Sequence, residues 1–111
     1  MLQHVINSFI VMHNGSNEST YHAMATEIKR KINDLMKDSQ VHIVNESDDH
    51  AGHTSRSGYA VSHLKVTVVS DYFTGMQKLN RQRLMHKVLE TEIKMLHSIT
   101  FVLLTNAETP A

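Results

Sequence analysis

The chain is 111 residues long, 41% hydrophobic and 20% charged, and its 11 basic side chains balance 11 acidic ones to a formal net charge of zero. That is one domain's worth of chain with enough apolar content for a core, which excludes two full cores and a compositionally disordered chain. Zero net charge removes the broad basic field that draws proteins onto phosphate backbones or anionic lipid, and the absence of cysteine excludes disulfides and any thiolate metal site completed by this chain alone.

No apolar run approaches the ~20 residues needed to span a bilayer, so no transmembrane segment is expected. Residues 1–22 hold an apolar patch, Val5 to Met12, followed by Asn14-Gly15-Ser16-Asn17, and carry no Lys or Arg. Secretory signals and transit peptides carry basic residues. The stretch is therefore expected to be a flexible extension ahead of a domain spanning 23–111, with an organellar leader as the alternative.

From about Ser19 to Lys37, Met24, Ile28, Ile32, Leu35 and Met36 recur at steps of three and four, which predicts an amphipathic helix. Ser19 or Thr20 is placed to cap it, and Glu27 with Lys31 to form an i,i+4 pair on its outer face. Gln40 to Asn45 carries Val41, Ile43 and Val44 and predicts a short strand of edge or secondary rank. Residues 46–60 then run almost without apolar content, a loop of unusual length, and long ordered loops in compact domains are often functional.

His63 to Ser70 alternates, with Leu64, Val66 and Val68 on one face and His63, Lys65 and Thr67 on the other, the clearest strand signal in the chain. Tyr72-Phe73-Thr74-Gly75 reads as a single helical turn ended by glycine. A second helix, about Lys78 to Leu96, is predicted to bury Met85, Leu89, Ile93 and Leu96 between Leu84 and Val88, with Arg81, Gln82, Lys87, Glu90 and Lys94 facing water. Ser98 to Thr105 is strongly β-prone and apolar on both faces, which suits a central or well-covered strand. The order α-β-β-α-β predicts an α+β two-layer sandwich, a three-stranded sheet with helices on one face.

Val69-Ser70-Asp71-Tyr72-Phe73-Thr74-Gly75, followed by Leu79-Asn80-Arg81-Gln82-Arg83 and then His97, resembles the signature of the BolA-like family, in which a Val-Ser-Asp-x-Phe-x-Gly turn leads to Leu-x-Arg-His-Arg and a later His-Ala-Leu opens the last strand. Asn45-Glu46-Ser47 through His50, and Ser62-His63-Leu64, are similar to the family's Glu-Ser loop and the start of its following strand. Together the motifs cover residues 24–110. Gln82 stands where the family usually has histidine, and Ser98-Ile99 replaces Ala-Leu. The resemblance implies a fold similar to class II KH domains, although no Gly-x-x-Gly loop of the kind that clamps nucleotides is present.

Nine histidines are the compositional excess, while seven methionines read as core filler. Taken singly, each histidine reads as a hydrogen-bonded surface residue. The resemblance implies more: His97 matches the family's strand-opening histidine, proposed there to ligate a [2Fe-2S] cluster shared with a monothiol glutaredoxin and its glutathione. His50 looks like the second ligand from the long loop, His53 is a plausible substitute three residues on, and His63 is a secondary candidate. A chain without cysteine contributes only imidazoles to such a cluster.

Three readings follow. The first is a non-enzymatic iron-sulfur accessory protein, cytoplasmic or mitochondrial, paired with a monothiol glutaredoxin and a monomer or weak homodimer by itself. The second is a nucleic-acid-binding transcriptional regulator in which a helix-turn-helix-like segment, residues 71–90, presents Arg81, Arg83 and Lys87; zero net charge and the acidic loop count against it. The third, an enzyme, finds no nucleophile-base pair, P-loop or paired-carboxylate motif in the chain, so no catalysis is expected.

Overall fold

The helix predicted by the three-and-four spacing runs from Asn17 to Leu35 (α1) in the computed structural model, which describes residues 17–47 and 63–110. Met24, Ile28, Ile32 and, just past the helix end, Met36 are each no more than 1% exposed, so the stripe faces the core as periodicity requires. Leu35, grouped with them, is 37% exposed, because Met36 takes the inward position as the chain leaves the helix. The helix begins ahead of Ser19, so neither Ser19 nor Thr20 caps it; Thr20 is buried, and Tyr21 Oη donates to the Ile43 carbonyl at 3.1 Å. The fold thus takes in residues that composition had placed in the extension.

Strands β1 (Gln40–Asn45), β2 (His63–Val69) and β3 (Ser98–Leu104) form one mixed sheet in the order β1-β2-β3. β1 runs antiparallel to β2 with Val41 opposite Val68, and β3 runs parallel to it with His63 beside Ser98 and Val69 beside Leu104. In β2, Leu64, Val66 and Val68 are fully buried and the alternate residues half-buried, the pattern of a strand with one face on the core. β3 is an edge strand, not a central one, and its cover comes from a helix, as described below. All the helical layer packs on the face that carries Leu64, Val66, Val68, Phe101 and Leu103.

After β2 the chain makes a 3-10 turn, Asp71–Phe73. Ser70 caps it by accepting from the Tyr72 N–H at 3.1 Å, and its own hydroxyl donates to Asp38 at 2.6 Å. Asp38 also accepts the Asp71 N–H at 3.1 Å, and Asp71 in turn accepts the Asn106 N–H at 3.1 Å. Phe73 is fully buried, and Gly75 holds φ +81, the left-handed region that glycine enters without steric cost. The Ser-Asp-x-Phe-x-Gly motif is therefore a structural corner.

The second predicted helix divides into α2 (Lys78–Val88) and α3 (Glu90–Ile93) at Leu89, whose backbone opens to φ −107, ψ 24. Bonds from Leu89 N to Met85 O and from Ile93 N to Leu89 O, both 2.9 Å, carry the ladder across the break. Met85, Leu89 and Leu96 are buried as expected, while Ile93 is only half-buried. The expected Glu27–Lys31 pair does not form. Glu27 pairs with Arg30, and Lys31 crosses to the fully buried Glu92 of α3. No helix among the described residues is long and apolar enough to cross a membrane.

Candidate functional site

One end of the sheet collects the residues of interest. Because β2 and β3 are parallel and in register His63 to Ser98, both begin at this end; because β1 is antiparallel to β2, with Asn45 opposite Leu64, it finishes here. The chain leaving β1 and the chain entering β2 are joined at their stems: Glu46 N donates to His63 O at 3.0 Å, and Ser47 Oγ accepts the His63 N–H at 3.2 Å. Asn45 Oδ1 fixes Ser47 by accepting its N–H at 3.0 Å, and Ser47 is buried. His50 and His53, carried between these stems, lie outside the described residues.

His97 stands at a bend between α3 and β3, exposed, and adjoins the Ser98 that pairs with His63. Its position is set from both sides: Leu96 is buried in the core, and Ile99 two residues on packs against it. An imidazole at the mouth of a strand, held by buried neighbours yet presented to solvent, suits a ligand for something that docks from outside.

His63 occupies the outer face of β2. Its Nε2 lies 3.4 Å from Glu46 Oε1 and 3.4 Å from Thr100 Oγ1. The composition of this trio is that of a nucleophile, base and acid. A proton relay needs a different ring nitrogen for each partner, however, and here one nitrogen faces both. Among the described residues, no group of three His, Asp or Glu side chains is placed to hold a metal ion.

One of the two arginines that the nucleic-acid reading relied on is not at the surface. Arg81 is 4% exposed. Its Nε donates to Met76 O at 3.0 Å, Nη1 to Leu103 O at 3.1 Å and to Glu108 Oε1 at 2.6 Å, and Nη2 to Glu108 Oε2 at 3.2 Å. The guanidinium also lies over the Phe73 ring, 5.6 Å from its centroid. The expectation that Arg81 faces water is thereby corrected, since helical periodicity reads a charge as outward and cannot see a carboxylate 27 positions away. Glu108 responds in kind: the Arg81 hydrogen bond, then the Thr105 N–H, pull its pKa from 4.5 to about 2. Arg83 and Lys87 remain exposed, but Gln82 is half-buried and donates from Nε2 to Phe101 O at 3.1 Å.

Comparison with known proteins agrees with these motifs. The family model for BolA-like protein matches residues 32–108. "Protein BOLA1, chloroplastic" of Arabidopsis thaliana is 29% identical over 87% of this chain and 62% of its own length; the solved structure of BolA1 from Arabidopsis thaliana superposes with a TM-score of 0.66, at 30% identity, covering 78% of this chain and 95% of that one. "SufE-like protein 1, chloroplastic/mitochondrial" of the same plant is 30% identical over 85% of this chain, which spans 27% of that protein, and its BolA domain superposes with a TM-score of 0.63, at 30% identity, covering 76% of this chain and 93% of that one. "DNA-binding transcriptional regulator BolA" of Vibrio cholerae is 36% identical over 60% of this chain and 58% of that protein. The chain thus spans less than two thirds of these curated relatives.

Proposed function

The chain belongs to the BolA-like family, and on that premise we propose that it is a non-enzymatic accessory protein, working inside the cell, that pairs with a monothiol glutaredoxin to bind and to transfer or regulate a [2Fe-2S] cluster. One observation carries the reading. His97 is exposed at the end of the sheet where the stems of the segment bearing His50 and His53 are pinned by Glu46, Ser47 and His63. His97 would supply one imidazole from the fold, and His50 or His53 a second from the loop. The partner and glutathione would supply the thiolates that a chain without cysteine lacks. Iron-sulfur clusters accept two imidazoles in place of two thiolates, which raises their reduction potential over that of an all-thiolate site.

The test is reconstitution of a cluster with a monothiol glutaredoxin and glutathione, comparing wild type, His97→Ala, His50→Ala and His53→Ala by visible absorption and circular dichroism. The spectrum of the mixed complex should be lost or converted to that of the glutaredoxin alone in His97→Ala and in one of the loop variants. An unchanged spectrum for His97→Ala overturns the assignment.

The second reading, a nucleic-acid-binding regulator, has the name of the Vibrio cholerae relative and the exposed pair Arg83 and Lys87 in its favour. It keeps only those two of its three basic residues, on a chain of zero net charge. Binding to duplex DNA at low salt that falls steeply with added salt and on Arg83→Ala with Lys87→Ala would support it, and no binding at low salt would dispose of it.

A further inference from the structure

Within α3 the one fully buried side chain is a carboxylate, that of Glu92. Thr91 and Ile93 beside it are half-buried, and Glu90 is exposed. Its partner is Lys31 of α1, 61 positions earlier, whose Nζ donates to Oε1 at 3.0 Å and lies 2.8 Å from Oε2. Lys31 adjoins Ile32, which like Ile28 is fully buried, so the ammonium comes from a helix fixed to the core.

A buried ion pair gains little over a well-packed apolar pair, because desolvating both charges offsets their attraction. What it adds is direction. Apolar contact tolerates sliding and rotation, whereas an ammonium and a carboxylate meet in a defined hydrogen-bond geometry. α3 needs such a constraint, since at four residues it is a single turn, too short to hold its own register, and the backbone opens at Leu89 between it and α2. A slip of one residue would turn it by about 100° and shift it by about 1.5 Å.

The backbone carries this constraint to His97. Glu92 O accepts the Met95 N–H at 3.0 Å and Ile93 O accepts the Leu96 N–H at 3.1 Å, so the last two residues before His97 hang from α3. Both pack on the core, but their apolar contacts fix depth rather than direction. We propose that Glu92, held by Lys31, is a positioning residue: the pair sets α3 against α1 and thereby the direction in which His97 presents its imidazole at the end of the sheet. This rests on the cluster reading given above, and the pair acts on the cluster only through His97.

The experiment uses the full chain, with Lys31→Met plus Glu92→Leu as an apolar replacement of the pair and Lys31→Arg as the variant that keeps an ion pair. Urea unfolding shows that each protein is folded. Two quantities are then read. One is amide hydrogen exchange of Met95 and Leu96 relative to Leu89 in the cluster-free protein. The other is the visible circular dichroism and reduction potential of the cluster reconstituted with a monothiol glutaredoxin and glutathione. The apolar replacement should fold, yet lose the protection of Met95 and Leu96 relative to Leu89 and shift the dichroism and potential away from wild type, towards His97→Ala. Lys31→Arg should match wild type in both, whereas a pair that served stability alone would move neither quantity when replaced. Wild-type exchange or a wild-type cluster in the apolar variant overturns the proposal, as does a Lys31→Arg protein that behaves like the apolar one. Should the apolar variant not fold, Glu92→Gln, which keeps the shape and one acceptor, takes its place with the same expected losses. If His97→Ala itself leaves the cluster unchanged, the ligand reading is what fails, and the exchange of Met95 and Leu96 decides the positioning by itself.

Discussion

Arg81 and Glu108 meet through both carboxylate oxygens, with Nη1 to Oε1 at 2.6 Å and Nη2 to Oε2 at 3.2 Å, and this pair closes the fold by tying α2 to the turn that follows β3. Glu108 simultaneously accepts the Thr105 N–H at 2.8 Å, completing a capping box for the 3-10 turn Asn106–Glu108. A single guanidinium thus holds the start of α2, the edge of β3 and the C-terminal turn together.

Replacing Arg81 with Met should therefore destabilise the protein by about 3 kcal/mol, the cost of leaving a buried carbonyl and a carboxylate without their donor. Arg81→Lys should recover little, because an ammonium cannot reach Met76 O, Leu103 O and both Glu108 oxygens at once. Urea unfolding of the three proteins checks this, and a loss below 1 kcal/mol for Arg81→Met would show the network to be dispensable.

Acid should expose the same pair. Glu108 is depressed to about 2 in the folded state from an ordinary 4.5, and Asp38 is also lowered, by the Ser70 hydroxyl first and the Asp71 N–H second. A depressed carboxylate adds stability that is complete above its unfolded pKa and disappears as pH falls through the folded one. The thermal midpoint should hold above about pH 5 and fall progressively from there towards pH 2. Glu108→Gln should lower the midpoint at neutral pH and flatten the decline; parallel curves for the two proteins would rule out Glu108 as a source of the acid sensitivity.

The ion pair between Lys31 of α1 and Glu92 of α3 should behave differently. Lys31 Nζ donates to Oε1 at 3.0 Å and lies 2.8 Å from Oε2, which receives no well-aligned hydrogen bond of its own. Glu92 is fully buried. Lys31→Met should cost about 3–5 kcal/mol by stranding a buried carboxylate, whereas Lys31→Met with Glu92→Leu should regain most of that loss. A double-mutant cycle by denaturant unfolding decides, and additive effects would mean the two groups are not coupled.

Gly75→Ala isolates a backbone effect. A methyl group at this position meets nothing within 4 Å, so the only penalty is the φ of +81. The expected loss is about 1 kcal/mol, with Asn costing less than Ala because Asn tolerates the left-handed region better. Equal stability of wild type and Gly75→Ala would mean that the turn relaxes to a negative φ.

The elements were legible in the sequence because they obey local rules. Leu64, Val66 and Val68 alternate against His63, Lys65 and Thr67 at the period of a strand, and Met24, Ile28 and Ile32 recur at the period of a helix, so each had only one face to bury. The helix break at Leu89 was not legible, since Met85, Leu89 and Ile93 keep an uninterrupted helical step through it. Nor was the edge position of β3, whose apolar outer residues suited a central or a well-covered strand and could not choose between them; a run apolar on both faces does not say what covers it.

At the candidate site, the sequence by itself identified His97, and the segment with His50 and His53, as residues worth finding, through motifs spaced in the right order. Only the tertiary structure decided that His97 shares one end of the sheet with Glu46, Ser47 and His63, and that Arg81 belongs to the interior while Arg83 and Lys87 stay outside. The reason is physical. Periodicity constrains which face of an element is apolar, but a charged side chain is kept in water or drawn inward by partners far along the chain, and the separation of 27 positions between Arg81 and Glu108 leaves no local trace of that pairing.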